Sequence, residues 1–444
     1  MHRTPNVVFF FSDQQRWDTL GCYGQKLNIT PNLDHLAEHG VRFENAFTCQ
    51  PVCGPARACV QTGKYGTETG CFKNDIALPL DEKTLAHYFT EAGYEVAYIG
   101  KWHLASQGRK QNYGKKPIPL ERRGGYNGYY RASEILEFTS HGYNGYVHDE
   151  HNNKVKFKGY RADCITDFAL DFIRGRKEDD KPFFLFLSHI EPHHQNDRFR
   201  YEGPRGSKEM FRDFEAPGDL VGQKGNWKRS YPDYLGCCNR LDYNVGRLMS
   251  TLKEQGIEEN TVIIYTSDHG SHFKTRNGEY KRSCHDASVR IPLVAYGPGF
   301  YGGKVVQELV SLMDIPPTLL SIAGIESANM RGKPLQKLLQ DEVNDWPEEV
   351  FIQISESQVG RAIRTKKWKY AVRALGKNGK KESSSDIYSE DFLYDLEKDP
   401  HELVNLVNES SYVEIRAELA IKLKQRMAEA GEQMPNIISN GGMV

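Results

Sequence analysis

The sequence has almost no net charge. Its 444 residues include 58 lysines and arginines against 59 aspartates and glutamates, which leaves a formal charge of -1 at pH 7. A chain balanced in this way has no overall field that would attract nucleic acid or an anionic membrane surface. We therefore expect neither as a partner, and an anionic substrate would have to be held by local positive charge.

Long hydrophobic runs are also missing. No run approaches the roughly 20 apolar residues that cross a bilayer, and the apolar stretch near the amino terminus covers only residues 7–11. This stretch is too short for the apolar part of a signal peptide and is typical of a strand. Taken as written, the sequence predicts a cytoplasmic protein without a signal peptide, unless a native export signal has been removed.

The cysteines do not form the pattern of a disulfide framework. There are nine, an odd number, they are scattered through a long chain, and Cys237 and Cys238 are adjacent. Small secreted domains, in contrast, carry an even number of cysteines at close spacing. The sequence therefore predicts reduced thiols.

What the sequence does contain is a set of short apolar runs, each followed at once by polar residues: "NVVFFFSD", "EVAYIGKWH", "PFFLFLSHIEPHH" and "NTVIIYTSDHG". They alternate with helix-like segments, for example residues 31–40 and 241–256. Fully apolar strands that alternate with helices predict an α/β fold, with a mostly parallel sheet covered by helices on both faces. Ligands of such sheets bind at the carboxyl ends of the strands, so the polar residues should meet at one edge.

Four residues after the first and last of these runs could hold a metal ion: Asp13, Gln14, Asp268 and His269. Two carboxylates, an amide oxygen and an imidazole form a hard donor set, which suits Ca²⁺, Mg²⁺ or Mn²⁺. Any one of these residues alone could simply cap the next helix. Their joint occurrence after two strands favours the metal site.

Three cations and two imidazoles complete the predicted site. Arg57, Lys101 and Lys281 could bind a compact oxyanion such as a sulfate or phosphate ester. His103 and His193 could transfer protons near neutral pH, although spacing alone equally allows buried structural histidines.

The pattern changes near residue 345. Short strands follow at close spacing, "EVFIQIS", "GRAIRT", "WKYAVRA" and "FLYDL", and a last helix covers "SYVEIRAELAIKLKQRMAEAG". We predict a catalytic α/β domain over residues 1–345 and a small antiparallel subdomain with a closing helix over residues 346–444.

The stretch "CGPARACVQTG" at residues 53–63 resembles the signature of the formylglycine-dependent sulfatases. The similarity continues in order through "SDQQRWDTLGCYG", "TPNLDHLAEHGVRFENAF", "GKWHL", "TSDHG", "SVRIPLVAYGPG" and "LYDLEKDPHELVNL". It implies an alkaline phosphatase-like sheet and a sulfatase, most readily one that acts on a sulfated carbohydrate. It also implies a partner, the maturation enzyme that oxidises the cysteine to formylglycine.

The resemblance assigns the site residues. Cys53 would become formylglycine, whose hydrated aldehyde is the nucleophile, and Arg57 would orient it beside a divalent metal, with Ca²⁺ expected first. Lys101 and Lys281 would bind the sulfate. His103 would assist release of sulfate and His193 would protonate the leaving oxygen, although the division of acid and base among His103, His193 and Lys281 stays open.

Further positions extend the prediction or depart from the family. We expect substrate contacts from His194, Arg198 and His285, which follow the third strand or precede "SVRIP". Gln14 replaces a common aspartate. His269 replaces a common asparagine, and the resulting Asp-His pair also occurs in related phosphonate monoester and phosphodiester hydrolases. Such a hydrolase is therefore the alternative function, and a silent binding protein on the same scaffold is a third, which the retained catalytic positions disfavour.

Overall fold

The computed structural model describes residues 4–108, 111–177, 181–327, 329–340 and 345–439. Its strands are β1 (Asn6–Ser12), β2 (Val41–Phe47), β3 (Glu95–Lys101), β4 (Tyr129–Ser133), β5 (Asn144–Asp149), β6 (Lys154–Lys158), β7 (Phe183–Ser188), β8 (Thr261–Ser267), β9 (Leu293–Tyr296), β10 (Lys304–Ser311), β11 (Glu349–Ile354), β12 (Gly360–Thr365), β13 (Trp368–Arg373), β14 (Ile387–Asp395) and β15 (Asn436–Ile438). Its α-helices are α1 (Pro31–His39), α2 (Cys53–Thr62), α3 (Gly66–Thr69), α4 (Leu85–Glu91), α5 (Leu136–Thr139), α6 (Arg161–Arg174), α7 (Ser207–Met210), α8 (Trp227–Glu254), α9 (Asp286–Val289), α10 (Ile315–Ile322) and α11 (Val413–Glu429). Short 3-10 helices cover Trp17–Thr19, Gly21–Tyr23, Leu120–Arg122, Asn196–Arg198, Glu258–Asn260, Leu312–Asp314, Leu335–Leu339 and Ser410–Tyr412.

Ten strands form the larger sheet, in the order β10-β2-β9-β8-β1-β7-β3-β4-β5-β6. The central block β8-β1-β7-β3-β4 is parallel throughout, and antiparallel pairs occur on both sides of it. All four apolar runs of the sequence lie side by side in this block. The predicted mostly parallel sheet is therefore confirmed, and so is the meeting of the four strand ends at one edge.

Helices cover both faces of this sheet. Along β1, Phe9 and Phe11 belong to a core that includes residues of α2, α4 and α10, whereas Val8 and Phe10 face a core with α1, α6 and α8. Alternate side chains of a strand point to opposite faces, so a fully apolar strand is the expected result of burial on both sides.

The smaller sheet has five strands in the order β11-β12-β13-β14-β15. One face packs against α11, and the other packs against residues of the larger unit that include Phe47 and Val289. The first four strands are antiparallel as expected, but β15 joins β14 in parallel. The predicted boundary at residue 345 stays a prediction; the second sheet begins at Glu349.

The nine cysteines all lie in the described residues and none is in a disulfide. Within the same residues, no helix combines the length and apolar character that crossing a membrane requires.

Candidate active site

The ends of the central strands bring the predicted residues together. Asp13 follows β1, Lys101 ends β3 and Asp268 follows β8, and all three side chains are buried. Gly100 has a φ of 109°, and a Cβ at this position would lie 1.8 Å from the Ser188 carbonyl oxygen of β7. Glycine is thus required at this position for β3 to approach β7 and present Lys101 at the edge.

Cys53 is the first residue of α2 and is 1% exposed. Its Sγ lies 2.7 Å from Lys281 Nζ, 3.3 Å from His269 Nε2 and 3.4 Å from Asp13 Oδ1. Burial alone would raise the pKa of this thiol, but the charges of Lys101, Lys281 and His269 outweigh it and hold the pKa well below its usual range. The side chain therefore lies in a strongly electropositive environment.

Arg57 lies one turn further along α2 and binds the same carboxylate as Lys101. Arg57 Nη2 is 2.9 Å and Lys101 Nζ 2.7 Å from Asp13 Oδ2. Arg57 Nη1 also donates to Ser188 Oγ at 2.6 Å. Two buried cations fixed on one carboxylate leave positive charge available for an anion in the site.

The geometry fits a divalent metal ion. Asp13, Asp268 and His269 can each offer a ligand atom, and with Cys53 Sγ these atoms lie within 4.8 Å of one another. Asp268 Oδ2 is buried and makes no hydrogen bond to any described residue; Arg57 Nη2 is 3.7 Å away. Burial and the neighbouring Asp13 raise the pKa of Asp268 to about 6. A cation would satisfy this oxygen and relieve the repulsion between the two carboxylates.

Gln14 is held by other contacts. Its Nε2 donates to Tyr201 Oη at 3.0 Å and to Ser271 Oγ at 3.1 Å, and its Oε1 accepts from the His194 amide at 3.4 Å. Its own backbone N–H donates to Asp268 Oδ1 at 3.0 Å. Gln14 therefore positions Asp268, and its predicted role as a metal ligand stays a prediction.

His193 is held from both sides. Its Nδ1 lies 3.1 Å from Glu137 Oε2, and its Nε2 lies 3.1 Å from Lys281 Nζ. Burial and Lys281 lower the pKa of His193, yet it is raised overall, with Asp13 among the groups that raise it. Burial raises the pKa of Glu137, but contact with His193 and the charge of Lys101 bring it down to about 2. Glu137 is therefore an anion that fixes the His193 ring.

A cavity of about 250 Å³ opens above these groups. Cys53, Lys101, His103, His193 and Lys281 line its inner part. Its wall also contains polar side chains suited to hydrogen bonding: Asn74, Asp75, Asn112, Asn196, Glu279 and Arg282. His103 has a φ of 62°, a left-handed conformation that is uncommon outside glycine and that is often found at functional sites.

None of the three residues predicted to contact the substrate lines the catalytic cavity. His194 is buried, with its ring stacked on Tyr280 at 4.2 Å, and burial lowers its pKa to about 4. Arg198 is exposed and lines a neighbouring cavity. His285 is also buried: its Nε2 lies 3.1 Å from Tyr394 Oη on β14, in the packing between the two sheets. His285 therefore has no access to the catalytic cavity, because the second sheet covers it.

Two contributing residues were missed in the sequence. Glu137 follows β4, so the rule that strand ends carry the site could have identified it. Asn74 could not have been found in this way: its Oδ1 accepts from the Gly54 amide at 2.9 Å, next to Cys53, and its backbone N–H donates to Glu356 Oε1, in the loop between β11 and β12, at 2.7 Å. Nothing in the local sequence indicates this long-range contact.

Comparison with known proteins agrees with the geometry. A family model described as Sulfatase matches residues 5–325, and a second, N-sulphoglucosamine sulphohydrolase, C-terminal, matches residues 278–429. Among solved structures, a protein in complex with its substrate D-glucosamine-2-N,6-O-disulfate has a TM-score of 0.76 at 23% identity, with 97% of this chain and 98% of that one covered. The phosphonate monoester hydrolase of Agrobacterium radiobacter has a TM-score of 0.70 at 24% identity, with 96% of each chain covered. At these identities the structures show a shared alkaline phosphatase-like fold.

Proteins that are similar in sequence also belong to the sulfatases. An ulvan-active sulfatase of Formosa agariphila is 30% identical over 451 residues, which cover 97% of this chain and 82% of the relative. An N-acetylglucosamine-6-O-sulfatase of Bacteroides thetaiotaomicron is 25% identical, with 98% of this chain and 88% of the relative covered. The expected family is thereby confirmed: this chain belongs to the sulfatases, enzymes that hydrolyse sulfuric esters.

Proposed function

We propose that this sulfatase removes a sulfate group from a carbohydrate, with Cys53 converted to formylglycine and a divalent metal held by Asp13, Asp268 and His269. The observation that carries the proposal is the environment of the Cys53 side chain. Lys281 Nζ, His269 Nε2 and Asp13 Oδ1 all lie within 3.4 Å of its Sγ. A lone structural thiol would not need this surrounding charge.

The protein side chains bind and orient the ester. Lys101 and Lys281 bind the anionic sulfate oxygens, and Arg57 keeps Asp13 and the adjacent side chain in position. His193 delivers a proton to the leaving oxygen through Nε2, because Glu137 holds its other nitrogen. His103, on the cavity wall, assists the release of sulfate. When present, the metal lowers the pKa of a bound nucleophile and neutralises ester charge, and formylglycine supplies a hydrated aldehyde.

The cavity supports a sugar as the substrate. Its wall combines amide, carboxylate and guanidinium groups, among them Asn74, Asn112, Asn196 and Arg282. A sugar ring carries several hydroxyl groups, and these bind best to a site that offers both hydrogen-bond donors and acceptors. Relatives described as ulvan-active and as an N-acetylglucosamine-6-O-sulfatase agree with a carbohydrate substrate.

The decisive experiment compares the transferred group, sulfuryl against phosphoryl and phosphonyl, on the matured enzyme. The protein is produced together with a formylglycine-generating enzyme, and conversion of Cys53 is verified from the mass of its peptide. Turnover is then measured with matched aryl sulfate, phosphate diester and phosphonate monoester, followed by a panel of sulfated oligosaccharides. We expect a preference for sulfate that Cys53→Ala abolishes.

The alternative function is phosphonate monoester or phosphodiester hydrolysis. The resemblance of the Asp268–His269 pair to related phosphonate monoester and phosphodiester hydrolases favours it, and so does the neutral Gln14 in place of the common aspartate. A dominant phospho-ester activity in the same assay would establish it in place of the sulfatase.

The metal is tested separately from activity. We expect Ca²⁺ to raise the melting temperature of chelator-treated protein, because it binds the folded state and relieves the Asp13–Asp268 repulsion. Mg²⁺ and Mn²⁺ are the comparison ions. Asp268→Ala should remove the response, and an equal response in that variant would place the ion elsewhere.

A further inference from the structure

A second cavity, of about 430 Å³, lies beside the catalytic one. Four cationic side chains line it: Arg198, Arg200, Arg205 and Lys208. Nothing in the proposed reaction at Cys53 uses them. We therefore call this region the arginine cavity and ask what it could bind.

The two cavities have adjoining walls, which are built from neighbouring residues of the same two segments. Glu137 and Phe138 line the catalytic cavity, and the same segment continues into the arginine cavity from His141. Likewise Asn196 lines the first cavity and Arg198 the second. Three residues span at most about 10 Å, so the cavities are neighbours on the scale of an oligosaccharide.

Hydrogen bonds join the two segments that form the adjoining walls. His141 Nε2 lies 2.8 Å from Asp197 Oδ2, and Asn196 Nδ2 donates to Glu137 Oε1 at 2.9 Å. Glu137 is also the partner of His193. The wall that carries the arginines is thus continuous with the wall that holds the predicted acid.

The charges of the arginine cavity are only partly neutralised. Arg198 and Arg200 both donate to one oxygen, Glu202 Oε1, at 3.0 Å, while Glu202 Oε2 accepts from the Gly142 amide at 2.7 Å. One anchored carboxylate therefore fixes two guanidinium groups and leaves one positive charge in excess. This arrangement orients both arginines before a ligand arrives.

Arg205 adds a further positive charge. Its guanidinium lies 4.9 Å above the Tyr143 ring, and it forms no ion pair with any residue in the described ranges. Lys208, in contrast, is paired with Asp233 at 3.5 Å, and Glu209 contributes one negative charge to the lining. An arginine stacked on an aromatic ring keeps its donors available for an anion.

We infer that the arginine cavity binds a second sulfate group, on a sugar that adjoins the one in the catalytic cavity. The inference rests on the proposed function and narrows it: the substrate is an oligosaccharide that carries more than one sulfate. Arg205 and the Arg198–Arg200 pair supply the charge, and the adjoining walls of the two cavities set the spacing between the two sulfates.

The test measures binding without turnover. In Cys53→Ala protein, calorimetry compares hexasaccharides from carrageenan, heparan sulfate and ulvan, each in a more and a less sulfated form. Arg205→Ala and Arg200→Ala are added to this background. Arg174→Ala is the matched control, because this half-exposed arginine lies on α6 outside both cavities.

We expect the more sulfated form of at least one glycan to bind about tenfold more tightly, because its extra sulfate accepts charged hydrogen bonds from the arginines. This advantage should disappear in both test variants. The control should retain it. An advantage that persists in Arg205→Ala and Arg200→Ala, or no advantage for any of the three glycans, would overturn the inference. Failure of the matured enzyme to hydrolyse any sulfate ester would instead refute the proposed function, and the binding result would remain separate.

Discussion

At the scale of single residues, Cys53 should differ in reactivity from the other eight cysteines. In protein made without the maturation enzyme, we expect iodoacetamide to modify Cys53 first at neutral pH. The lowered pKa keeps this thiol as the reactive thiolate, and the catalytic cavity gives a small reagent access. Burial raises the pKa of most of the others, for example Cys71 to about 11. Peptide mass spectrometry over time measures the order.

Lys281→Met is the matched variant for this measurement. It removes the nearest cation to Sγ, so alkylation of Cys53 at neutral pH should slow several-fold while that of Cys22, the one cysteine of the nine that is only partly buried, is unchanged. Equal rates for Cys53 in the two proteins would contradict the assigned electrostatics.

Glu137 should matter most when the leaving group is poor. We expect Glu137→Gln to lower kcat roughly tenfold more for a sugar sulfate than for 4-nitrophenyl sulfate, because only the sugar alcohol needs the proton from His193. Steady-state kinetics with both esters measures the difference. A structural role alone would reduce the two rates by the same factor, which makes the ratio the deciding quantity.

The sequence predicts which residues belong to the site, but not all of their contacts. Motif resemblance predicted roles for Cys53, Arg57, Lys101, His193 and Lys281. The structure places four of them in the lining of one cavity, and Arg57 donates to the Lys101 carbonyl oxygen. It could not show that Gln14 turns to Tyr201 and Ser271, or that His285 is covered by β14. These contacts join segments far apart in the chain, and neither periodicity nor local motif contains that information.

At the scale of elements, α1 depends on a carboxylate from α8. Asp242 Oδ1 accepts from the Leu33 amide at 2.8 Å, and Oδ2 from Asn32 Nδ2 at 2.8 Å. Burial raises the pKa of Asp242 from 3.8 to about 6. Because the folded-state value is the higher one, the stability that this group contributes is present below about pH 4 and lost as the pH rises through 6.

A shift of this size corresponds to about 3 kcal/mol. The Asp242→Asn protein does not lose this contribution, because asparagine does not titrate. We therefore expect its unfolding free energy minus that of the native protein to increase by up to about this amount between pH 4 and pH 7. Urea titrations at the two pH values measure the difference. A constant difference would show that Asp242 titrates normally in the folded protein.

Most elements could be predicted because burial leaves a clear pattern. The runs at β1, β3, β7 and β8 have apolar central residues, which are buried on both faces of the sheet. The short strand β15 has no such pattern: its residues are half exposed, and it pairs in parallel with β14 only after the chain returns from α11. The position of β15 depends on where the chain returns after α11, which its local sequence does not indicate.

At the scale of the whole molecule, a buried ion cluster joins the two sheets. Lys369 of β13 is fully buried and contacts Asp286, at the start of α9, and Glu402. Asp286 also pairs with Arg364 of β12 at 3.3 Å. Since α9 follows Lys281 by only five residues, the second sheet supports the loop that carries a catalytic cation.

We expect Lys369→Met to reduce the unfolding free energy by about 3–5 kcal/mol, because it leaves the buried Glu402 carboxylate without a cation and Asp286 with Arg364 alone. Lys367→Met is the matched control: this lysine is two residues away, 44% exposed and paired with Glu397, so its loss should leave the unfolding free energy almost unchanged. Denaturant unfolding measures both. Similar small effects would mean that the cluster does not couple the sheets.

The burial of Cys53 has a consequence for the order of events during biosynthesis. A small reagent can enter a cavity of about 250 Å³, but the active site of another enzyme cannot reach a side chain that is 1% exposed beneath it. If Cys53 is oxidised by a maturation enzyme, this has to happen on the nascent or unfolded chain. Each molecule would then have one opportunity for activation, and a chain that folded first would remain inactive for its lifetime.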